Sequence, residues 1–107
     1  MPLVNMEYDN GKLNDKDVLN LSEVMQKIVS KRTKIKDVFV YANTSQIKVK
    51  IAPVEIFIQM SENKIQDLER LFNEIKLDLS KWKKKNFVKY PINLTIIPMK
   101  WKFETNI

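Results

Sequence analysis

The sequence predicts an α/β domain in which two tandem β-α-β units form one four-stranded mixed sheet with both helices on one face. Pro2 and Pro53 stand 51 residues apart, close to half of the 107-residue chain, and each precedes an apolar, strand-like run. In both halves a polar turn, an amphipathic helix with a basic end and a second strand follow, and a repeat at a fixed period indicates duplicated units. Strand–helix–strand units cross over right-handedly, so each unit is expected to pair its two strands in parallel.

The first half predicts a strand, a helix and two further strands. Residues Leu3–Tyr8 form the first strand, which stops at a polar turn containing Gly11. Asn14 is the expected N-cap of a helix in which apolar residues recur at helical spacing before a basic last turn. The apolar run from Val38 to Ala42 predicts a strand buried on both faces. Alternation over residues 46–51 predicts a short edge strand protected by lysines.

The second half repeats this plan. Residues 54–60 predict a strand, and Asn63 followed by Gln66 resembles the capping box that opens a helix. The helix ends in a run of lysines, residues 92–97 predict the last long strand, and residues 101–103 extend it at the edge. Because the strands are apolar on both sides, the face without helices is expected to be covered by neighbouring subunits in an obligate oligomer.

Composition limits the chemistry. The length predicts one domain over residues 1–107, with pseudo-repeat halves 2–52 and 53–104. The chain has no histidine and no cysteine, which excludes a thiolate nucleophile, a histidine base and ordinary zinc or haem sites. A single glycine excludes a glycine-rich phosphate loop. We therefore predict no cofactor and no metal, and any catalysis must use lysine, arginine, carboxylates, tyrosine, hydroxyls or the amino terminus.

The net charge, the absence of long apolar runs and the absence of cysteine indicate which partners and which location to expect. A net charge of +6 attracts anions such as nucleic acid, acidic lipid or a carboxylate substrate, although an excess of solvated lysines alone would also produce it. A nucleic-acid-binding protein is a weaker hypothesis than an enzyme or an assembly module, because no recognisable motif is present and the lysines gather at helix ends instead of interleaving with aromatics on a sheet face. No 18-residue apolar run and no signal peptide are evident, so we expect no membrane partner. With no cysteine present, a cytoplasmic location is expected.

Pro2 is the residue of greatest chemical interest. Initiator methionine is usually removed before a small second residue, and its removal would leave a secondary amine at the start of a strand. A main-chain amine has a pKa of about 8, which an apolar pocket or neighbouring cations lower further. Such an amine is a competent general base. If Met1 is retained, the Pro2 nitrogen is an amide without basicity, and Pro2 then only begins a strand.

Several segments resemble the tautomerase superfamily, and within it the 5-carboxymethyl-2-hydroxymuconate isomerases. The resemblance begins with Met1-Pro2-Leu3 and a first strand containing Glu7-Tyr8, and it includes the doubled β-α-β plan. Asn43-Thr44-Ser45-Gln46-Ile47 is similar to that branch's Asp-Thr-Trp-Gln-Met segment. Residues 56–60 are similar to its central strand and Leu71-Phe72 to its second helix. The N-terminal proline is the diagnostic motif, and the rest is similarity of pattern over nearly the whole chain.

The resemblance implies a tautomerase-like fold and an enzyme. It would be an isomerase that moves a proton in a small 2-hydroxy- or 2-oxo-acid, as in aromatic degradation, with Pro2 as the catalytic base. Lys34 and Lys36 fall near family cations and would bind the carboxylate of this small substrate, as point charges. Tyr8 and Tyr41 are candidate hydrogen-bond donors, although buried aromatics often only pack. The resemblance further implies a homotrimer in which the strands of neighbouring subunits complete each pocket.

The chain also departs from the family pattern. Val38 stands where the family has a second arginine, and Ser61-Glu62-Asn63-Lys64 replaces a Gly-Arg-Ser loop. Arg32 and Arg70 are the only arginines, which leaves little to grip a dicarboxylate. A smaller or monocarboxylic enol, a promiscuous tautomerase and a catalytically inactive binding or assembly module with the same fold therefore stay open.

Overall fold

The elements of the chain follow the duplicated β-α-β plan. The structure is a computed structural model that describes residues 1–107. Its elements are β1 (Leu3–Tyr8), α1 (Asp15–Thr33), β2 (Phe39–Asn43), β3 (Val54–Ser61), a 3₁₀ turn (Glu62–Lys64), α2 (Leu68–Lys85) and β4 (Asn93–Met99). Neither α-helix is long and apolar enough to cross a lipid bilayer.

The four strands form one mixed sheet in the order β2-β1-β3-β4. β1 runs parallel to β2, with Leu3 beside Phe39, and antiparallel to β3, with Leu3 beside Gln59. β3 runs parallel to β4, with Gln59 beside Ile97. This register confirms the predicted fold class. It also brings together the starts of β1 and β2 and the ends of β3 and β4. We call this edge of the molecule the Pro2 end and the opposite edge the distal end.

The helix α1 begins as its sequence predicts. The Asn14 side chain accepts a hydrogen bond from the Asp17 backbone N–H at 2.8 Å, and the Asp17 carboxylate accepts one from the Asn14 N–H at 3.1 Å. This reciprocal pair is a capping box. The helix ends at Lys34, whose φ of 60° is left-handed, a common way to stop a helix. The crossover from β1 therefore returns the chain to the start of β2.

One hydrophobic core lies between the sheet and the helices. Side chains alternate along β3, so that four of them are at most 1% exposed: Val54, Ile56, Ile58 and Met60. They pack with the buried stripes of α1 and α2 in a single cluster. The other face of the sheet carries no helix, and there Phe39 and Tyr41 are 45% and 53% exposed. The prediction that β2 is buried on both faces is therefore wrong for the single chain.

Three local predictions in the second half and the connecting loop are wrong. The N-cap of α2 is Asp67, whose carboxylate accepts from the Arg70 backbone N–H at 3.1 Å, whereas Asn63 lies in the 3₁₀ turn. Residues 46–51 form no strand, because a strand needs a hydrogen-bonded neighbour and none lies beside this segment. Residues 101–103 likewise form no strand, and the rings of Trp101 and Phe103 meet edge to face.

Candidate active site

Pro2 lies at the start of the sheet's central pair of strands. It directly precedes β1, and its carbonyl accepts a hydrogen bond from the Phe39 backbone N–H at 3.2 Å. Leu3 pairs with Phe39 of β2 and with Gln59 of β3. Continuing the same register by one residue places Pro2 beside Val38 and Met60. Val38 is 7% exposed, Met60 is 1% exposed, and the Pro2 side chain is fully buried. A nitrogen at this position therefore has apolar neighbours on both sides.

Lys34 and Lys36 lie on the connection that leads from α1 to Pro2. Lys34 is the C-cap residue of α1, and the Lys36 carbonyl accepts from the Val38 N–H at 2.9 Å. Both lysine side chains are exposed, and neither forms an ion pair. Since β2 begins beside Pro2, the structure brings both lysines to the Pro2 end, where their ammonium groups are free to meet an anion.

A cleft opens at the Pro2 end between the end of α1 and the start of α2. Its volume is about 400 Å³, within the range of small-ligand pockets. Lys34 lines one wall and Lys64, from the 3₁₀ turn, lines the other. Lys64 forms no ion pair. Sequence reasoning did not select Lys64, because only the antiparallel pairing of β1 with β3 places the end of β3 and the turn after it beside the end of α1.

Arg32 lines the same cleft but is occupied by the fold. Its Nε and Nη2 donate to the two carboxylate oxygens of Asp78 at 2.7 Å each, and its Nη1 donates to Glu74 at 2.8 Å. These bonds tie α1 to α2. The hydrogen bonds from Arg32, and then its charge, hold the pKa of Asp78 below its ordinary value. Arg32 is therefore a structural residue. Arg70, which also lines the cleft, pairs with Glu74 at 3.3 Å, so the cations of the cleft without an ion pair are Lys34 and Lys64.

Tyr8 and Tyr41 do not join Pro2 within one chain. Tyr8 ends β1, six positions along the strand from Pro2, a span of about 20 Å. It is half-buried and packs against the core. Tyr41 pairs with Asn5 on the open face of the sheet, whereas Pro2 shares the alternation of Val4 and lies on the helix side. Their roles in the site stay predictions.

Two further clefts lie outside this arrangement. One of about 370 Å³ is at the Pro2 end, between the 3₁₀ turn and the segment after β4, and Trp101 lines it. The Trp101 indole N–H is buried without an acceptor. The other, of about 480 Å³, is at the distal end between the helices, where Trp82 and Tyr90 line it. Burial, with a smaller effect of Asp17, raises the pKa of Tyr90.

Comparison with known proteins gives likeness of fold without likeness of sequence. No protein-family model and no curated protein matches the chain. A malonate semialdehyde decarboxylase superimposes with a TM-score of 0.70 at 9% identity, over 98% of this chain and 92% of that one. Its structures include a variant with alanine in place of proline at its first position. A 5-carboxymethyl-2-hydroxymuconate delta-isomerase gives 0.65 at 10% identity, over 97% and 89% of the two chains.

A third solved structure agrees with these two. The 5-carboxymethyl-2-hydroxymuconate isomerase of Deinococcus radiodurans R1 gives a TM-score of 0.60 at 14% identity, over 97% of this chain and 90% of that one. The decarboxylase and the isomerases belong to the tautomerase superfamily. The fold of this chain is therefore the tautomerase fold, as the resemblance in sequence predicted, and identities this low carry the likeness no further than the fold.

Proposed function

We propose that this chain is a tautomerase that transfers a proton between two atoms of a small 2-hydroxy- or 2-oxo-acid, with Pro2 as the general base. The observation that carries the proposal is the placement of Pro2. It lies at the start of a central strand, in apolar surroundings, and at the same end of the molecule as a cleft lined by the unpaired Lys34 and Lys64. That its fold is shared with isomerases and a decarboxylase supports the proposal.

The proposed chemistry begins with removal of Met1, which turns the Pro2 nitrogen from an amide into a secondary amine. Next to Val38 and Met60 the protonated amine loses solvation, and this lowers the pKa of an amine toward neutrality. The neutral amine accepts a proton from the hydroxyl or carbon of the enol acid, and the resulting ammonium returns a proton to another carbon of the same molecule. The proton count is unchanged over one cycle, so no cofactor is required.

Lysines hold the substrate in this proposal. Lys34 and Lys36 bind the carboxylate as point charges, and Lys64 adds a cation on the opposite wall of the cleft. Arg32 is committed to Asp78 and Glu74, and Arg70, the other arginine of the cleft, pairs with Glu74 at 3.3 Å, so both arginines of the cleft already contact carboxylates of the fold. A small monocarboxylic substrate therefore fits the charges better than a dicarboxylate.

The proposal includes a homotrimer in the cytoplasm. The half-exposed Phe39 and Tyr41 make the open face of the sheet partly apolar, and packing against other copies would bury them. A neighbouring subunit would also bring its own Tyr8 or Tyr41 toward Pro2, which a single chain does not do. The location rests on the sequence alone.

The intact mass of the native protein is the first test, since Met1 retained in the whole population would overturn the proposal. Protein without Met1 should ketonise phenylenolpyruvate or a 2-hydroxymuconate-type enol, and Pro2→Ala should abolish this activity. Pro53→Ala is the matched control, because Pro53 has an amide nitrogen within the chain and should keep full activity. Activity that survives in Pro2→Ala would place the base elsewhere.

A second candidate function, an inactive binding or assembly module with this fold, is favoured by one observation. Every side-chain nitrogen of Arg32 is bound to a carboxylate, so the strongest anion ligand of the cleft is withdrawn. Folded, oligomeric protein that lacks Met1 and turns over no enol acid would support this alternative.

A further inference from the structure

The distal end has a cleft between the two helices that the proposed chemistry does not use. Its volume is about 480 Å³. One wall is a face of α1 between Asp17 and Lys27, and the other is formed by residues 82–90, at the end of α2 and just after it. We call this space the distal cleft. It lies in the helix layer, on the other side of the sheet from the open face, so subunits that pack on the open face leave it accessible.

The walls of the distal cleft are not tied to each other. No ion pair and no side-chain hydrogen bond of the chain crosses it. At the Pro2 end, by contrast, Arg32 of α1 donates three hydrogen bonds to Asp78 and Glu74 of α2. A cavity of about 150 Å³ can hold benzene, so the untied end of the helix pair has room for a molecule of one or two rings.

Aromatic side chains make up much of the apolar lining. Trp82 and Tyr90 are half-buried; they pack against the hydrophobic core and also line the distal cleft. Their rings do not pair with each other, since the aromatic pair of this chain is Trp101 with Phe103. A ring that enters the cleft would therefore give Trp82 or Tyr90 the aromatic partner that each one lacks.

Polar groups without partners also line the distal cleft. The Tyr90 hydroxyl and the Asn20 amide form no hydrogen bond within the chain. Asn86 donates from its Nδ2 to the Trp82 carbonyl at 2.9 Å, which leaves its Oδ1 as an acceptor. A few polar groups in a mostly aromatic cleft are typical of sites that orient a small ligand.

The charges around the distal cleft have both signs. Asp17, Glu23 and Lys27 line it. Asp17 already accepts the Asn14 backbone N–H, and Glu23 and Lys27 are four residues apart on α1, a spacing at which opposite charges offset each other. Lysines 83–85 stand beside the cleft at the end of α2. Neither an anion nor a cation is therefore favoured, and an uncharged ligand avoids the cost of desolvating a charge.

We propose that the distal cleft binds a small uncharged aromatic molecule that carries a hydroxyl or an N–H group, such as a phenol. Its ring packs among Trp82, Tyr90 and the neighbouring valines, Val24 and Val88, and its polar group bonds to the free groups of the lining. The site is at the opposite end of the sheet from Pro2 and does not depend on whether the chain is a tautomerase.

The two tryptophans of the chain serve as reporters, one at each end of the molecule. Each indole N–H gives one peak in a nitrogen–proton correlation spectrum, and Trp82→Phe and Trp101→Phe assign the two peaks. Phenol should shift the Trp82 peak saturably, with a dissociation constant on the order of 1 mM, and leave the Trp101 peak in place. Cyclohexanol has the same size and hydroxyl but no aromatic ring, so it should bind about fivefold more weakly. Benzoate, which adds a charge, should also bind more weakly at Trp82.

Two variants test the position of the ligand. Asn20→Phe places a ring in the distal cleft from an exposed position of α1, and it should weaken phenol binding at least about tenfold. Asn73→Phe, at an exposed position of α2 outside the cleft, is the matched control and should bind phenol as the wild type does. Tyr90→Leu removes one aromatic partner and should weaken binding about fivefold.

Four results would overturn the proposal. These are equal shifts of the two tryptophan peaks, equal binding of cyclohexanol and phenol, tighter binding of benzoate than of phenol at Trp82, and undiminished phenol binding in Asn20→Phe. Because Asn20 is exposed and lies in no hydrogen bond, the folded state of Asn20→Phe is secure, and its result decides the matter even if Tyr90→Leu fails to fold.

Discussion

The contact between Arg32 and Asp78 should stabilise the pairing of the two helices, and Asp78→Asn measures its contribution. The substitution removes the charge and places an amide N–H₂ where Arg32 donates two bonds of 2.7 Å. Hydrogen bonds to charged groups contribute ~1.5–3 kcal/mol, and fully exposed ion pairs at most ~1 kcal/mol. Because the Asp78 side chain is only 14% exposed, we expect the free energy of unfolding to fall by about 2 kcal/mol.

Urea denaturation at neutral pH and fixed protomer concentration is the measurement. Glu74→Gln is the matched control; its side chain is 32% exposed and gives Arg32 a single bond, so a loss below ~1 kcal/mol is expected. The pKa of Asp78 is lowered in the folded state. Its contribution is therefore complete above the unfolded value of about 4, and it is lost as the pH falls through the folded value.

The difference between the wild type and Asp78→Asn should accordingly be full at neutral pH and shrink in acid. Equal stability of the two proteins at neutral pH would refute the reasoning, because it would mean that the bonds to Asp78 add nothing beyond what water supplies. A difference that stays undiminished at low pH would show that the substitution acts through packing and not through the charge.

Three further changes test the site, a cap and the core. Lys36→Gln should raise KM for the enol acid about fivefold or more with little change in stability, because a lost ion pair weakens carboxylate binding. Lys76→Gln, on α2, is the control, and an unchanged KM in Lys36→Gln would remove Lys36 from the site. Asp67→Ala should lower the free energy of unfolding by about 1 kcal/mol, since Asp67 caps α2, whereas Asn63→Ala should leave it nearly unchanged. A larger loss of thermal stability in Asn63→Ala than in Asp67→Ala would contradict the structure. Ile75→Ala, at a core position with 0% exposure, should cost about 2–5 kcal/mol in urea, and a loss under ~1 kcal/mol would mean that the core collapses around the gap.

Local patterns were enough to predict most of the fold. β1 has the predicted bounds, and Asn14 caps α1 because the residues that make the capping box are three positions apart in sequence. Asn63 and Gln66 satisfy the same pattern of residue types, yet the helix starts at Asp67, since the chain first completes a 3₁₀ turn. Residues 46–51 have the alternation of a strand, but alternation does not supply the hydrogen-bonding neighbour that a strand requires.

The candidate site was less predictable, because its parts are distant in sequence. Arg32 and Asp78 are separated by 46 residues, and nothing in the local sequence of either one indicates that the guanidinium is occupied. Lys64 reaches the cleft only through the antiparallel arrangement of the two halves. Tyr8 and Tyr41 are candidates by residue type alone, and residue type says nothing about which end or face of the sheet a side chain occupies.

The antiparallel arrangement of β1 and β3 has a consequence for chain connectivity. Pro53 precedes β3 at the distal end, where a cleft of about 480 Å³ opens between the helices, just as Pro2 precedes β1 at the end where the cleft of about 400 Å³ opens. β1 begins and β4 ends at one edge of the sheet, so a short linker could join the present ends. A circular permutant opened before Pro53 would keep the core and move the free imino terminus to the opposite pole. The fold thus contains two geometrically related positions for a terminal proline, and the point at which the chain is cut decides which one is used.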